Sequence, residues 1–355
     1  MKRIKLLKFL IIPVTLLLLA RCEKDKITDP LSIKTEDCAR LLWYLEDEGD
    51  IINTIPLPSL EAWEVNENLG SSLVIDLRTN SNYMEGHIIG AINIQHDSLF
   101  KYIQTNYLRF SDVVLVSASG QSAAYYTSLL RLAGFSNVYY MNFGMASWNT
   151  MFSSVWNDRL ALEPDTTILF THTDYPKRSF SSLPQINIIP SNLPMKEFVE
   201  TRIEGMIKEG FDEEYSTSTS NSTMRFSDWK SRKEQLYTIC IGSQMFYSSS
   251  SDTTITYHPE GAVLYHIPGP ADFRSTSYLQ TLPSKGSIAM YSGTGQESAF
   301  YTAYLRLLGY NVKSILFGMN NIDYYMLLRA DEIIPYAFQL STIMNYPFET
   351  GQGNK

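Results

Sequence analysis

The stretch VVLVSASGQSAAYYTSLLRLAGF, Val113 to Phe135, decides how this chain is to be read. Four apolar β-formers, Val113 to Val116, predict a buried strand. The small residues Ser117 to Gly120 predict a tight loop, and the apolar spacing that follows predicts a helix closed by Gly134. Strand, small-residue loop and helix in that order aim the loop amides and the helix N-terminus at one point, the usual way to hold an anion or mount a nucleophile. Yet the loop offers only Ser117 and Ser119, with no Cys, His, Lys or Arg beside them.

Outward from that stretch the chain alternates strands with helices. SLVIDL, from Ser72 to Leu77, predicts a second short strand. NSNYMEGHIIGAINI predicts a glycine-bearing loop entering another β segment, and NVYYMNFGMASW a strand followed by a loop. Ahead of them Thr35, Glu36 and Asp37 suit a helix start, with Cys38, Leu41, Leu42 and Leu45 on one apolar face before Gly49. The expected fold class is α/β, two domains, each a short, mostly parallel sheet flanked by helices. With 44% hydrophobic and 19% charged residues in 355, the composition is globular and long enough for two such domains.

The second domain is announced by a repeat. GQSAAYYTSLLRLAG, Gly120 to Gly134, returns as GQESAFYTAYLRLLG, Gly295 to Gly309, identical at nine of fifteen positions. FGM at Phe143 returns at Phe317, and HIIGAI at His87 returns as HPEGAV at His258. Residues 35–157 are expected to form the first domain with its leading helix, 158–193 a connector, 194–347 the second domain and 348–355 a tail. Met195 to Gly210 should open the second domain as a helix, through Phe198, Val199, Ile203, Met206 and Ile207. The polar runs STSTSNST from Ser216 and SSSSDTT from Ser248 read as flexible surface loops.

The N-terminus carries four basic residues up to Lys8, an apolar run from Phe9 to Ala20 and then Cys22, the pattern of a secretory signal over residues 1–21. LLLLARC resembles the bacterial lipobox, with Arg21 a departure from the small residue usual before the cysteine. The resemblance implies lipid on Cys22, a polar tether over 22–34 and a lipid-anchored protein of the cell envelope. Removing residues 1–21 takes away five basic residues and no acidic one, leaving 24 basic against 37 acidic. Such a surface repels nucleic acid and anionic membrane faces. Cys38 and Cys240 remain, too few for a disulfide framework or a CxxC metal site, and read as separate buried thiols. No metal and no cofactor is implied.

Taken together, VIDLR, EGHIIGAINI, VVLVSASGQSA and the LLRLAGFSNVYYMNFGMASW that follows resemble the rhodanese homology domain. YTICIG, YHPEGAVLYHIP, IAMYSGTGQESAFYTAYLRLLGY and LFGMNNID resemble it more loosely. The order of domains is similar to tandem rhodanese-like lipoproteins of bacterial envelopes. The resemblance implies sulfurtransferase chemistry, in which a cysteine ends the strand, opens the loop C-x-x-G-x-[RT]-[SA] and carries sulfur as a persulfide, with loop amides holding the anion. Carried over by position, Ser117 stands where the cysteine should be, followed by Ala118, Ser119, Gly120, Gln121, Ser122 and Ala123. In the second copy Ser292 takes that place, followed by Gly293, Thr294, Gly295, Gln296, Glu297 and Ser298.

A serine hydroxyl cannot form a persulfide and has no appreciable anion at neutral pH. The basic position of the loop is also lost, to Ser122 and Glu297, and Glu297 would repel an anion. The first loop is therefore the better anion site of the two. Asp76 and Arg78 match the family's D-x-R and are expected to form a structural ion pair; His87 with Gly90, and His258 with Gly261, match its GHIxGA packing turn. Arg131 and Arg306 read as a solvated helix face. The expectation is a catalytically degenerate pair of rhodanese-like domains that binds or scaffolds, with a protein partner or a small anion. Two other readings stay open: a sulfurtransferase using Cys38, Cys240 or a partner's thiol, and hydrolysis by Ser117 or Ser292 with a remote base.

Overall fold

Val113–Val116 is the central strand of a five-stranded sheet in the order Ser59–Leu60, Val138–Met141, Val113–Val116, Leu73–Asp76, Ile92–Asn93, with every neighbouring pair parallel. All four residues of Leu73–Asp76 and of Val113–Val116 are buried, as parallel strands covered on both faces must be. The computed structural model describes residues 33–352 except 50–51, 53–55, 164, 181, 189–191, 215–219, 252–253, 267–272 and 330–332. The signal segment, Cys22 and nearly all of the tether lie outside the described residues.

A second five-stranded sheet repeats that order with Thr223–Met224, Asn311–Ile315, Ser287–Tyr291, Tyr237–Ile241 and Val263–Tyr265, again all parallel. The chain is thus α/β, two parallel five-stranded sheets flanked by helices. Helices Gln121–Leu132 and Gln296–Leu307, the two versions of the sequence repeat, pack against each other, and one apolar core runs through both halves. Ala123, Ala124, Ala299 and Ala303 are fully buried, and side chains that small let two helix backbones approach closely.

Several segments differ from their sequence reading. Asn80–Glu85 is a short helix rather than loop, capped by the Thr79 hydroxyl, which accepts from Asn82 N. The connector is packed along part of its length. Its Phe170–Thr171 pairs antiparallel with His258–Pro259, and its Ile168, Leu183, Ile186 and Ile188 are buried. Both polar runs supply strands: Thr223–Met224 at the edge of the second sheet, and Ser249–Ser251 paired with Thr254–Thr256. Threonine suits a pleated backbone, and ladder hydrogen bonds satisfy amides that a polar composition alone would leave to water.

Two further segments cross between the halves. Helix Met195–Glu209, although it leads into the second sheet, packs on helices His96–Asn106 and Gln121–Leu132 of the first half. The end of the chain also returns to the first half. Met344 N and Tyr346 N donate to the carbonyls of Ser147 and Trp148, and His87 and Glu349 exchange backbone hydrogen bonds.

Candidate functional site

The Ser117–Ala123 loop is held from below by the FGM turn. Gly144, at φ +58°, is needed there because a Cβ would meet the carbonyl oxygen of Ser117 and the amide of Gly120. Met145 N then donates to Ser117 O at 2.9 Å. Gly318 and Ser292 repeat the arrangement, with Met319 N donating to Ser292 O at 2.9 Å. This close approach is the physical content of the FGM repeat.

The first loop already holds an anion, the carboxylate of Glu213, brought in by the segment that follows helix Met195–Glu209. Glu213 Oε1 accepts from Ala118 N at 2.9 Å and, at the long limit of 3.5 Å, from Ser119 N. Glu213 Oε2 accepts from Ser119 Oγ at 2.7 Å, Ser122 N at 2.8 Å and Ser117 Oγ at 3.1 Å. Ser117 Oγ in turn accepts from Gly120 N at 3.0 Å. Ser117, Ser119, Ser122 and Glu213 are all buried. The donors of this loop are thus taken by an acidic side chain of the same chain.

Around it lies a cavity of about 470 Å³ whose mouth carries Glu209, Asp212 and Glu214 besides Glu213, against Arg78 and His96. Burial, then the neighbouring Glu213 and Asp212, push the Glu214 carboxyl up from its ordinary value, with Arg78 pulling the other way. A second anion approaching Ser117 meets this acidic rim.

In the second half Ser292 Oγ accepts from Gly295 N at 3.1 Å and Ser298 N at 3.2 Å, so the hydroxyl caps its own helix. Thr294 Oγ1 accepts from Gln296 N at 3.1 Å, and Ser298 Oγ shares a hydrogen bond with Ser314 at 2.7 Å. The carbonyl of Gly293 accepts from Asn320 Nδ2, and the Tyr336 side chain lies where a Cβ on Gly293 would sit. Among the described residues no acidic side chain accepts from this loop as Glu213 does from the first.

Asp76 and Arg78 form a buried ion pair at 2.6 Å, and Arg78 also donates to Gly86 O at 2.6 Å, tying strand end to loop. His87 and His258 occupy equivalent places. Each stacks on a tyrosine, Tyr83 or Tyr247, at 3.6 Å between ring centroids, and each Nδ1 contacts that tyrosine's carbonyl. His258 Nε2 contacts Thr173 O at 3.1 Å, while His87 Nε2 lies 3.4 Å from Glu349. Burial lowers the His258 pKa from its ordinary value. Gly90 and Gly261 close the two turns at φ +78° and +82°. Among the described residues no hydrogen bond joins either histidine to Ser117 or Ser292.

Arg131 and Arg306 are only partly exposed, and each is bonded rather than free on a solvated face. Arg131 Nε donates to Val138 O at 2.7 Å with its guanidinium over the Tyr139 ring, and Arg306 pairs with Glu209 at 2.9 Å. The carbonyl and the carboxylate come from elements that sequence periodicity does not place. Cys38 and Cys240 are free, buried thiols. Burial pushes Cys38 up to about 12, offset in part by Arg202, and pushes Cys240 up as well. Among the described residues no group of three His, Cys, Asp or Glu is placed to hold a metal.

Sequence reasoning missed Glu213, and it placed Gln121 and Gln296 in the two loops without the contacts they make to the opposite half. Gln121 Oε1 accepts from Phe317 N at 2.7 Å and Gln296 Oε1 from Phe143 N at 2.8 Å, so each loop's glutamine satisfies the other half's FGM turn. Phe143 and Phe317 both sit at positive φ, where their amides turn away from local partners. The signal was present: glutamine follows the glycine in both repeats.

The rhodanese-like domain model matches residues 61–151. No curated protein matches. Among solved structures, similar chains include a rhodanese-related protein from Thermoplasma volcanium, 22% identical, covering 25% of this chain and 88% of that one at a TM-score of 0.22. A thiosulfate sulfurtransferase from Pseudomonas aeruginosa is 13% identical, covering 90% and 70% at 0.25. A 3-mercaptopyruvate sulfurtransferase from Leishmania major is 12% identical, covering 78% and 76% at 0.26. Likenesses this slight say nothing about activity. The match over residues 61–151 spans the strand, the Ser117 loop and the FGM turn, so this part of the chain is similar to a rhodanese-like domain.

Proposed function

We propose that the chain is a non-catalytic tandem rhodanese-like protein that works by binding or scaffolding. The observation that carries this reading is the Glu213 carboxylate seated on the loop amides beside Ser117. A persulfide needs a thiolate at position 117 and those amides to hold it, and neither is available. Cys38 and Cys240 do not replace it, being buried with raised thiol pKa values. Hydrolysis by Ser117 fares no better, because the donors that would receive a developing oxyanion are spent on Glu213. Purified protein is expected to transfer no sulfur from thiosulfate to cyanide and to carry no cyanolysable sulfur after thiosulfate treatment. Turnover abolished by Ser117→Ala would overturn the reading, as would cyanolysable sulfur lost in Cys38→Ser or Cys240→Ser.

The proposed setting is the cell envelope, with the protein tethered by lipid on Cys22. Support comes from the basic start, the apolar run and the cysteine that ends it. Among the described residues no helix is long and apolar enough to cross a membrane. In a bacterial host a labelled fatty acid should enter the wild-type protein and be absent from Cys22→Ala. Equal labelling of the two would remove the anchor from the proposal.

A further inference from the structure

A second cavity lies beside the Ser292 loop, lined from both halves, and its chemistry is opposite to that of a persulfide site. It encloses about 500 Å³ between the Ser292 loop and the first sheet, a volume suited to a small organic ligand. Tyr140, Phe143, Tyr301 and Tyr336 give it aromatic walls; Glu61 and Glu297 give it two carboxylates; among the described residues no lysine or arginine lines it. The two acids are not equivalent. Glu61 is committed to its helix cap and to Asn142 Nδ2. The Glu297 carboxyl has neither a hydrogen bond nor an ion pair among the described residues. Glu297 is partly buried in the cavity wall, and an acid held there without a partner is less well solvated than in open water, a cost that a cation supplying both charge and N–H donors reduces.

We propose that this cavity binds a small organic primary ammonium, its N–H groups donating to the Glu297 carboxylate and its apolar body lying against Tyr140 and Tyr336. The inference names a ligand class for the binding role proposed above and rests on that reading. Among the described residues the other titratable groups near Glu297 are Glu61, His266, Tyr140, Tyr301 and Tyr336, which line the same cavity, and Cys240, whose thiol feels its charge. Burial raises the Glu297 carboxyl to about 7, and its charge, with burial behind it, pushes the Tyr336 hydroxyl up to about 12.

The sign of the pH dependence follows. A carboxyl raised on folding stabilises the fold at low pH, and that contribution is lost as pH rises from the unfolded value through about 7. Above that range the charge is present and uncompensated, so an ammonium ligand gains most there. Phenethylamine serves as probe and 2-phenylethanol as its uncharged counterpart, each titrated calorimetrically into the full chain. Phenethylamine should bind at least about tenfold more tightly at pH 8 than at pH 5.5, in step with ionisation of Glu297. The alcohol should not bind measurably, and Glu297→Gln should remove amine binding while melting at or above the wild-type temperature. Equal amine affinity in Glu297→Gln, equal affinity for the alcohol, or no amine binding at pH 8 would each overturn the inference. Cyanolysable sulfur on the same preparation would instead overturn the non-catalytic reading, so the two failures are told apart.

Discussion

Glu213→Ala should lower the unfolding free energy by about 3–5 kcal/mol, among the largest losses expected from a single polar side chain here. The carboxylate is the acceptor for Ala118 N, Ser122 N and the hydroxyls of Ser117 and Ser119, and the three serines are buried. Removing it strands those donors, and each stranded donor costs about 1–3 kcal/mol unless water reaches it. Glu213→Gln should lose nearly as much, since an amide keeps one acceptor oxygen but turns an NH₂ group toward donors. Urea denaturation measures both. Added sulfate should raise the melting temperature of Glu213→Ala by several degrees more than that of the wild type, because it can occupy the vacated amides. A loss below about 1 kcal/mol, with no differential effect of sulfate, would mean that the carboxylate is an incidental guest.

The second large effect concerns chemistry. Ser117→Cys restores the family's nucleophile in name, yet it is expected to transfer no sulfur. The new thiol would sit about where Ser117 Oγ lies, 3.1 Å from a Glu213 oxygen. A carboxylate at that range opposes a thiolate, and the amides that would stabilise the sulfur anion are already bonded. In Ser117→Cys/Glu213→Ala both obstacles go. Alkylation of the introduced thiol by iodoacetamide at pH 7 should then be at least about tenfold faster than in the single variant, as expected once no carboxylate opposes the thiolate. Turnover of thiosulfate by Ser117→Cys alone would refute this account and return the question to the nucleophile itself.

How much of this could be read in the sequence depends on whether the relevant residues carry a local pattern. The strand, loop and helix at Val113–Leu132, the FGM glycine and the Asp76–Arg78 pair are short-range constructions, and each left a motif. The repeat disclosed the second sheet because an identical strand order needs a similar run of apolar segments. Glu213 left no such mark. It lies 96 residues from Ser117 in the chain, within the acidic run Asp212, Glu213, Glu214, and such runs are usually solvated. What could have drawn attention is Phe211, an aromatic residue directly before that run, whose amide donates to the buried hydroxyl of Tyr126. Gln121 and Gln296 were visible as identical residues, but only the crossed contacts to Phe317 and Phe143 reveal why. Solvation of Arg131 and Arg306 was inferred from helix position alone, which does not see the carbonyls and carboxylate arriving from other elements.

The path of Glu213 has a consequence for synthesis and for dissection of the gene. A ribosome that has released the chain through residue 151 has made every strand of the first sheet and none of the acceptor its loop needs; completion waits for residue 213, and the return of the C-terminal segment waits for Glu349. The unit defined by homology is therefore smaller than the unit that folds, and a fragment cut at the homology boundary would present bare amides where the whole protein presents a sealed loop.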